Sequence, residues 1–230
     1  MEKKNPIILG GWKTRCATEP IRLLMEYLGV NYRNEIYELG PAPEFSRESW
    51  TKVKLSLGLD FPNLPYLIDS PIKITESIAI IRYLCHKFEP RLLGSKLEEI
   101  ALVDMMTGVV YELIQYKLGY MYADNAGKVP KLKMEEITNT TKKFAKLLEE
   151  RKYLIGDKLT YVDFLCIETL ESIHDLIEPI FETYPSLKRY FNDIISIPNI
   201  HKYRNSERYL KDPFPYNNKH AHIGATPIKK

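Results

Sequence analysis

The spacing of apolar residues changes along the chain and separates an early mixed region from a later helical one. Residues 7–9 form a short apolar run typical of a buried strand, and an apolar stretch with helical spacing follows from Ile21 to its end at Gly29. Residues 32–39 favour an edge strand, and two further strands are predicted on either side of a Ser-Pro turn. Helical spacing returns after Thr75. This order predicts a small mixed sheet with helices packed on it.

The later part of the chain has almost no strand pattern. Apolar residues recur at helical spacing from residue 97 to about 122, and again in segments around 137–148, 164–177 and 187–194. The sequence TYVD at 160–163 fits a capping box, in which Thr and Asp side chains satisfy free amides of a first helical turn. We therefore expect a thioredoxin-like domain at 1–88, a linker at 89–96, an all-helical domain at 97–210 and a tail at 211–230.

Composition narrows the possible classes of protein. The 230 residues carry a formal net charge of only +3, with no basic stripe, so a nucleic-acid partner is not expected. The three cysteines are odd in number and far apart, which argues against a disulfide framework or a zinc site and favours a reducing cytoplasm. No segment approaches the roughly 18 apolar residues of a membrane span, and the N-terminus lacks the apolar stretch of a signal peptide. We expect a cytoplasmic protein that uses no metal and binds no membrane.

Several segments together resemble one family. The sequence SLGLDFPNLPYLID at 56–69 is similar to mu-class glutathione transferases almost letter for letter. Five further segments resemble the same class: PIILG at 6–10, IRLL at 21–24, GPAPEF at 40–45, TYVDF at 160–164 and the segment 181–187. The resemblance implies a thioredoxin-like domain with a mixed four-stranded sheet, followed by an all-α bundle. It also implies that glutathione is the co-substrate, conjugated to hydrophobic electrophiles.

A glutathione site must satisfy two carboxylates, one ammonium and one thiol. The resemblance implies that Trp50 and Lys54 hold the glycyl carboxylate, since an indole N–H and an ammonium are both donors. It places a cis proline at Pro65 and implies that the turn before it pairs with the cysteinyl backbone. The start of the helix at Ser77 offers free amides to the γ-glutamyl carboxylate. The full set of expected glutathione-binding residues is Trp12, Arg47, Trp50, Lys54, Asn63, Leu64, Pro65, Glu76, Ser77 and Glu112.

The resemblance also implies a homodimer. Phe61 falls where the family inserts an aromatic side chain into the partner subunit, and Arg82 falls near the twofold axis. Glu112 falls where the family has an acid that reaches the γ-glutamyl ammonium across the dimer. Tyr122 aligns with a tyrosine of the electrophile pocket. For Glu112 and Tyr122 the alternatives, an exposed helix acid and a packing residue, are equally well supported by sequence.

The sequence departs from the family at the residue that activates the thiol. The mu-class opening is Gly-Tyr-Trp, and its Tyr donates a hydrogen bond to the glutathione sulfur, whereas this chain has Gly11 there. Four replacements are conceivable: the hydroxyl of Thr18, the thiol of Cys16 with a pKa lowered by Arg15 and a helix N-terminus, or the charge of Arg15 or Lys13. Each residue also has an ordinary structural interpretation, as a helix cap, a small loop residue or a solvated cation.

Three functions remain open at this level. The first is a glutathione transferase with altered or reduced activity, because a missing hydroxyl donor lowers rate without necessarily lowering binding. The second is a non-catalytic protein that binds glutathione and hydrophobic ligands. The third, a thiol–disulfide reductase acting through Cys16, has the least support because Cys16 has no CxxC partner.

Overall fold

A computed structural model describes residues 6–41, 44–121 and 131–211 of the chain. Its sheet contains β1 (Ile7–Trp12), β2 (Tyr32–Tyr37), β3 (Tyr66–Asp69) and β4 (Ile72–Thr75) in the order β2-β1-β3-β4. β1 runs parallel to β2 and antiparallel to β3, and β3 is antiparallel to β4. The mixed four-stranded sheet is confirmed, and β2 is an edge strand as predicted.

Helices cover the sheet and form the rest of the described chain. Two short 3-10 turns, Cys16–Thr18 and Pro90–Leu93, precede α1 and α4 respectively. The α-helices are α1 (Glu19–Tyr27), α2 (Glu48–Thr51), α3 (Ser77–Phe88), α4 (Leu97–Met121), α5 (Lys131–Leu147), α6 (Tyr161–Leu176), α7 (Ile180–Thr183), α8 (Pro185–Ile195) and α9 (Pro198–Arg204). No helix among these described residues has the length and apolarity needed to cross a bilayer.

The predicted helices correspond to α1, α3, α4, α5, α6 and α8. Two helices, α7 and α9, were not predicted. They contain four and seven residues, which is too short for apolar periodicity to stand out from a loop. The predicted helix end near Tyr122 lies outside the described residues.

The sheet region and the helical region share one apolar core. Helix α1 is central to it, because residues 20–25 of this helix are buried and its Tyr27 ring lies 5.5 Å from the ring of Phe164 on α6. The guanidinium of Arg22 is fully buried in the same helix and lies 3.0 Å from the Glu19 carboxylate. Arg22 Nη1 also donates to the carbonyl of Thr14 at 2.9 Å, which fixes the segment between β1 and α1.

The start of α6 carries the predicted capping box. The buried Asp163 carboxylate accepts from the Thr160 amide at 2.7 Å and from the Thr160 hydroxyl at 2.9 Å. Its other oxygen accepts from the Leu154 amide at 3.0 Å and the Tyr190 hydroxyl at 2.9 Å. One carboxylate thus joins the first turn of α6 to the preceding loop and to α8.

Replacing this carboxylate is expected to lower stability strongly. Asp163→Asn turns one acceptor oxygen into a donor that faces other donors, so the free energy of unfolding should fall by about 2 kcal/mol or more. Urea denaturation measures the change. Asp157→Asn, at an exposed position nearby, is the matched control and should change stability by less than about 0.5 kcal/mol. Equal effects at the two positions would contradict the structural role of Asp163.

Candidate functional site

A cavity of about 290 Å³ lies between the sheet domain and the helical region. One wall comes from the turn before β3 and the start of α3. The opposite wall is mainly apolar and comes from Tyr111, Ile114 and Leu118 on α4 and Leu165 on α6. The cavity thus places backbone and polar groups opposite an apolar surface. Five of the predicted glutathione-binding residues line it together: Asn63, Leu64, Pro65, Glu76 and Ser77.

The turn before β3 presents backbone groups to the cavity. The Leu64–Pro65 peptide bond is cis, as the resemblance implied. The Leu64 amide donates to the Asn63 side-chain oxygen at 2.9 Å. A ligand carbonyl that binds the Leu64 amide must therefore displace the Asn63 side chain, which is exposed and free to rotate away.

The start of α3 forms the second polar element of this wall. Glu76 occupies the N-cap position with φ 70° and ψ 115°, an uncommon conformation for a residue with a side chain. Its side chain makes no capping hydrogen bond, so the first amides of this twelve-residue helix remain available. With the Ser77 hydroxyl beside them, these amides suit a carboxylate ligand.

The two tryptophans lie behind this wall and do not line the cavity. Trp50 is 6% exposed, and its ring is stacked on Tyr66 with centroids 5.8 Å apart. The edge of Tyr37 meets the same ring at 5.2 Å, and the partly buried Trp12 packs against the same cluster. The Trp50 ring is therefore part of the apolar packing of the sheet region.

The remaining predicted glutathione contacts also lie away from the cavity lining. Arg47 is exposed at the N-cap of α2, and Lys54 is half-buried just after that helix. Glu112 is exposed on α4 and accepts a hydrogen bond from the Tyr116 hydroxyl at 2.8 Å. Tyr122 lies outside the described residues. The geometry of the cavity therefore brings together the β3 turn and α3, but leaves these charged residues on the surface.

The space beside Gly11 is filled by another side chain. A Cβ atom built at Gly11 would lie 2.4 Å from Thr18 Oγ1 and 2.7 Å from Thr18 Cγ2. Thr18 is buried at the N-cap of α1, where its side chain makes no capping hydrogen bond, and it does not line the cavity. Its hydroxyl points toward β1, so the predicted role as a donor to sulfur requires a different rotamer.

Comparison with known proteins decides the family. The profile described as "Glutathione S-transferase, N-terminal domain" matches residues 7–86, and "Glutathione S-transferase, C-terminal domain" matches residues 112–207. The chain belongs to the glutathione S-transferase family.

Individual relatives agree with this assignment and with the mu-class resemblance. Glutathione S-transferase Mu 1 of Bos taurus is 38% identical over 90% of this chain and 94% of its own length. The class-mu 26 kDa isozyme 7 of Fasciola hepatica is 36% identical over 90% of this chain and 92% of its own length. The crystal structure of the glutathione S-transferase Blo t 8 has a TM-score of 0.77 at 25% identity, covering 95% of this chain and all of that one.

In this glutathione S-transferase, Cys16 lines the cavity at the start of the turn before α1. Burial raises the pKa of the Cys16 thiol, and the nearby charge of Lys117 only partly opposes this. The direction is opposite to the lowered pKa that the sequence suggested, because burial outweighs the nearby positive charge. Arg15, the residue expected to lower this pKa, is bound to other groups. Arg15 lies 3.0 Å from Glu171 and 3.2 Å from Asp175, and it donates to the Tyr209 hydroxyl at 2.7 Å.

Lys13 is also committed to a carboxylate. Its ammonium lies 3.0 Å from Glu38 on the exposed surface, and neither residue lines the cavity. Of the four replacements considered for the missing tyrosine, only Cys16 lines the cavity. Among the described residues, no cluster of three or more His, Cys, Asp or Glu side chains could hold a metal ion.

Sequence reasoning missed two ionisable residues of the cavity, Lys117 on α4 and Glu168 on α6. Lys117 is 4% exposed and Glu168 is 2% exposed. Burial lowers the pKa of Lys117 and raises that of Glu168. The sequence did contain a pattern that indicates the burial of Lys117. This residue follows Val110 and Leu113 at helical spacing, so it falls on the buried face of α4.

The contact between Gly11 and Thr18 predicts a coupled effect on stability. Gly11→Ala should lower the free energy of unfolding by about 1–3 kcal/mol, because the new methyl group overlaps the Thr18 side chain. In a Thr18→Gly background the cost should fall by at least about 1 kcal/mol. A double-mutant cycle in urea measures the coupling.

Gly108 provides the matched control for this cycle. An added Cβ at Gly108 on α4 meets no atom within 4 Å, so Gly108→Ala should stabilise the protein by about 0.5–1 kcal/mol. Additive effects of Gly11→Ala and Thr18→Gly would show that the two positions do not share space.

Proposed function

We propose that this glutathione S-transferase conjugates the thiol of glutathione to hydrophobic electrophiles, at a rate limited by the absence of the tyrosine at position 11. The observation that carries the proposal is the cavity in which the Leu64 turn and the start of α3 face an apolar helical wall. The polar side suits a tripeptide with carboxylates and an amide backbone, and the apolar side suits a hydrophobic second substrate. Holding the two together supplies rate by proximity even with weak thiol activation.

In the proposed complex, the γ-glutamyl carboxylate binds the amides at the start of α3 and the Ser77 hydroxyl. The cysteinyl backbone pairs with Leu64 after the Asn63 side chain has moved away. Glu76 lies beside the γ-glutamyl ammonium. Arg47 and Lys54, on the surface nearby along the chain, reach the glycyl carboxylate only if their long side chains fold toward the bound tripeptide.

Ser77→Ala should weaken glutathione binding by about three- to tenfold, because one hydrogen bond to a carboxylate is lost. Isothermal titration with glutathione measures the change. Ser196→Ala, at an exposed position on the distant end of α8, is the control and should leave the dissociation constant unchanged. Equal dissociation constants for wild type and Ser77→Ala would remove the start of α3 from the binding site.

The alternative is a glutathione- and ligand-binding protein without turnover, and the filled space beside Gly11 favours it. Turnover of glutathione with a chlorodinitrobenzene electrophile separates the two functions. Binding with a rate above the uncatalysed reaction supports the transferase. Binding without such a rate supports the alternative, and the absence of binding contradicts both.

We also propose that the protein is a cytoplasmic homodimer. Phe61 is 81% exposed in the single chain, an unusual degree for a phenylalanine, and Leu55 and Leu97 are 79% and 77% exposed. Arg82 is half-exposed and lies 2.6 Å from Asp104 on α4. Covering such residues with a second copy supports the dimer predicted from the family resemblance.

Phe61→Ser should weaken the dimer by at least about thirtyfold in dissociation constant, as expected for an aromatic residue at the centre of an interface. Sedimentation equilibrium measures the change. Phe88→Ser, at a 41% exposed aromatic position in the same domain, is the control. A monomeric wild-type protein, or equal effects of both substitutions, would contradict the proposed role of Phe61.

A further inference from the structure

Lys117 combines deep burial with the lack of a partner. Its side chain is 4% exposed and lines the cavity, yet within the described residues its ammonium makes no hydrogen bond and no ion pair. A buried charge without a partner is unfavourable by several kcal/mol, so such groups normally carry a counter-ion, lose a proton or bind a ligand. The position of Lys117 in the cavity wall makes a bound anion the natural partner.

The charged neighbours offset the burial of Lys117 only in part. Glu168 faces Lys117 from α6, but its Oε1 is 3.6 Å from Arg15 and accepts from Ser172 at 3.2 Å, and its Oε2 has no hydrogen-bond partner. Cys16 faces Lys117 from the turn before α1, and burial keeps this thiol protonated. Glu76 and Tyr111 line the same cavity from α3 and α4.

We propose that Lys117 is the catalytic residue that takes the proton from the glutathione thiol and holds the resulting thiolate. The proposal rests on the proposed function, because it assumes that the cysteinyl backbone of glutathione lies on the Leu64 turn. A thiol attached there would enter the same cavity that Lys117 lines. The step is balanced within the site: the S–H bond breaks, the proton forms an N–H bond at Lys117 Nζ, and an ammonium–thiolate pair results.

The ionisation of Lys117 fits this role. Burial lowers the pKa of Lys117, so the neutral amine is more accessible here than at the surface. A neutral amine has a lone pair to receive the thiol proton, and the ammonium it becomes gains a partner of opposite charge. This replaces the hydroxyl donor of the family tyrosine by a base that also supplies a positive charge.

The test uses glutathione as the probe in a Cys16→Ala background. The two remaining thiols do not interfere between pH 5 and pH 10, because burial raises the pKa of Cys85 to about 12 and raises that of Cys166 further. Ultraviolet thiolate absorbance of the saturated complex is followed from about pH 5 to pH 10. With Lys117 present, the bound thiol should titrate at least one pH unit below its free value, a tenfold gain in thiolate at neutral pH. Lys117→Met should abolish this gain, and Lys117→Arg should restore part of it by charge alone.

Controls separate this proposal from the function on which it rests. Lys143→Met removes a lysine at an exposed position on α5, outside the cavity, and should leave the thiol titration unchanged. Glutathione affinity at about pH 5, where the thiol is protonated, should be equal with Lys or Met at position 117. Lys117→Gln keeps a polar side chain and repeats the measurement if the Met variant is unstable.

Two results would overturn the role of Lys117. The first is a bound thiol that titrates at its free value with Lys117 present. The second is a lowered titration that persists in Lys117→Met and Lys117→Gln. In both cases glutathione still binds, so the proposed function survives. If glutathione binds neither to the wild type nor to any variant, the proposed function itself fails.

Discussion

The buried guanidinium of Arg15 is the interaction on which the site depends. It lies between the carboxylates of α6 and the hydroxyl of Tyr209, and it is 2% exposed. Burial alone would lower the pKa of Arg15, but the nearby carboxylates raise it overall, so the charge is retained. This charge attaches the turn containing Cys16 to the helical region. The cavity wall is thereby held in place by a salt-bridge network rather than by apolar packing alone, and removing Arg15 would leave the buried Glu168 without its ion-pair partner.

The same network explains the electrostatics of the cavity. Glu168 directs its Oε1 toward Arg15 at 3.6 Å and forms its ion pair with that residue. Its charge also raises the pKa of Lys117, but burial outweighs this effect and lowers the pKa overall. The amine that lines the cavity is therefore easier to deprotonate than a lysine on the surface.

Local patterns in the sequence predicted the parts of the fold that local interactions determine. The strands of the sheet, the long helices and the Thr160–Asp163 capping box all follow from spacing or from short motifs. The cis bond before Pro65 and the cavity residues around it came from resemblance to a family, not from periodicity. Neither apolar periodicity nor family resemblance predicted the contacts between distant segments. Cys16, Lys117 and Glu168 meet only because α1, α4 and α6 pack together, and the packing of Thr18 against Gly11 depends on how the chain turns after β1.

The contact between Thr18 and Gly11 also restricts how this sequence can change. Any residue larger than glycine at position 11 places its first side-chain atom on the Thr18 hydroxyl, so a single codon change toward tyrosine meets a steric barrier before its hydroxyl can act. The side chain at position 18 must first become smaller or adopt another rotamer. The order of substitutions is therefore constrained, because a side chain at position 11 becomes accessible only after position 18 has changed.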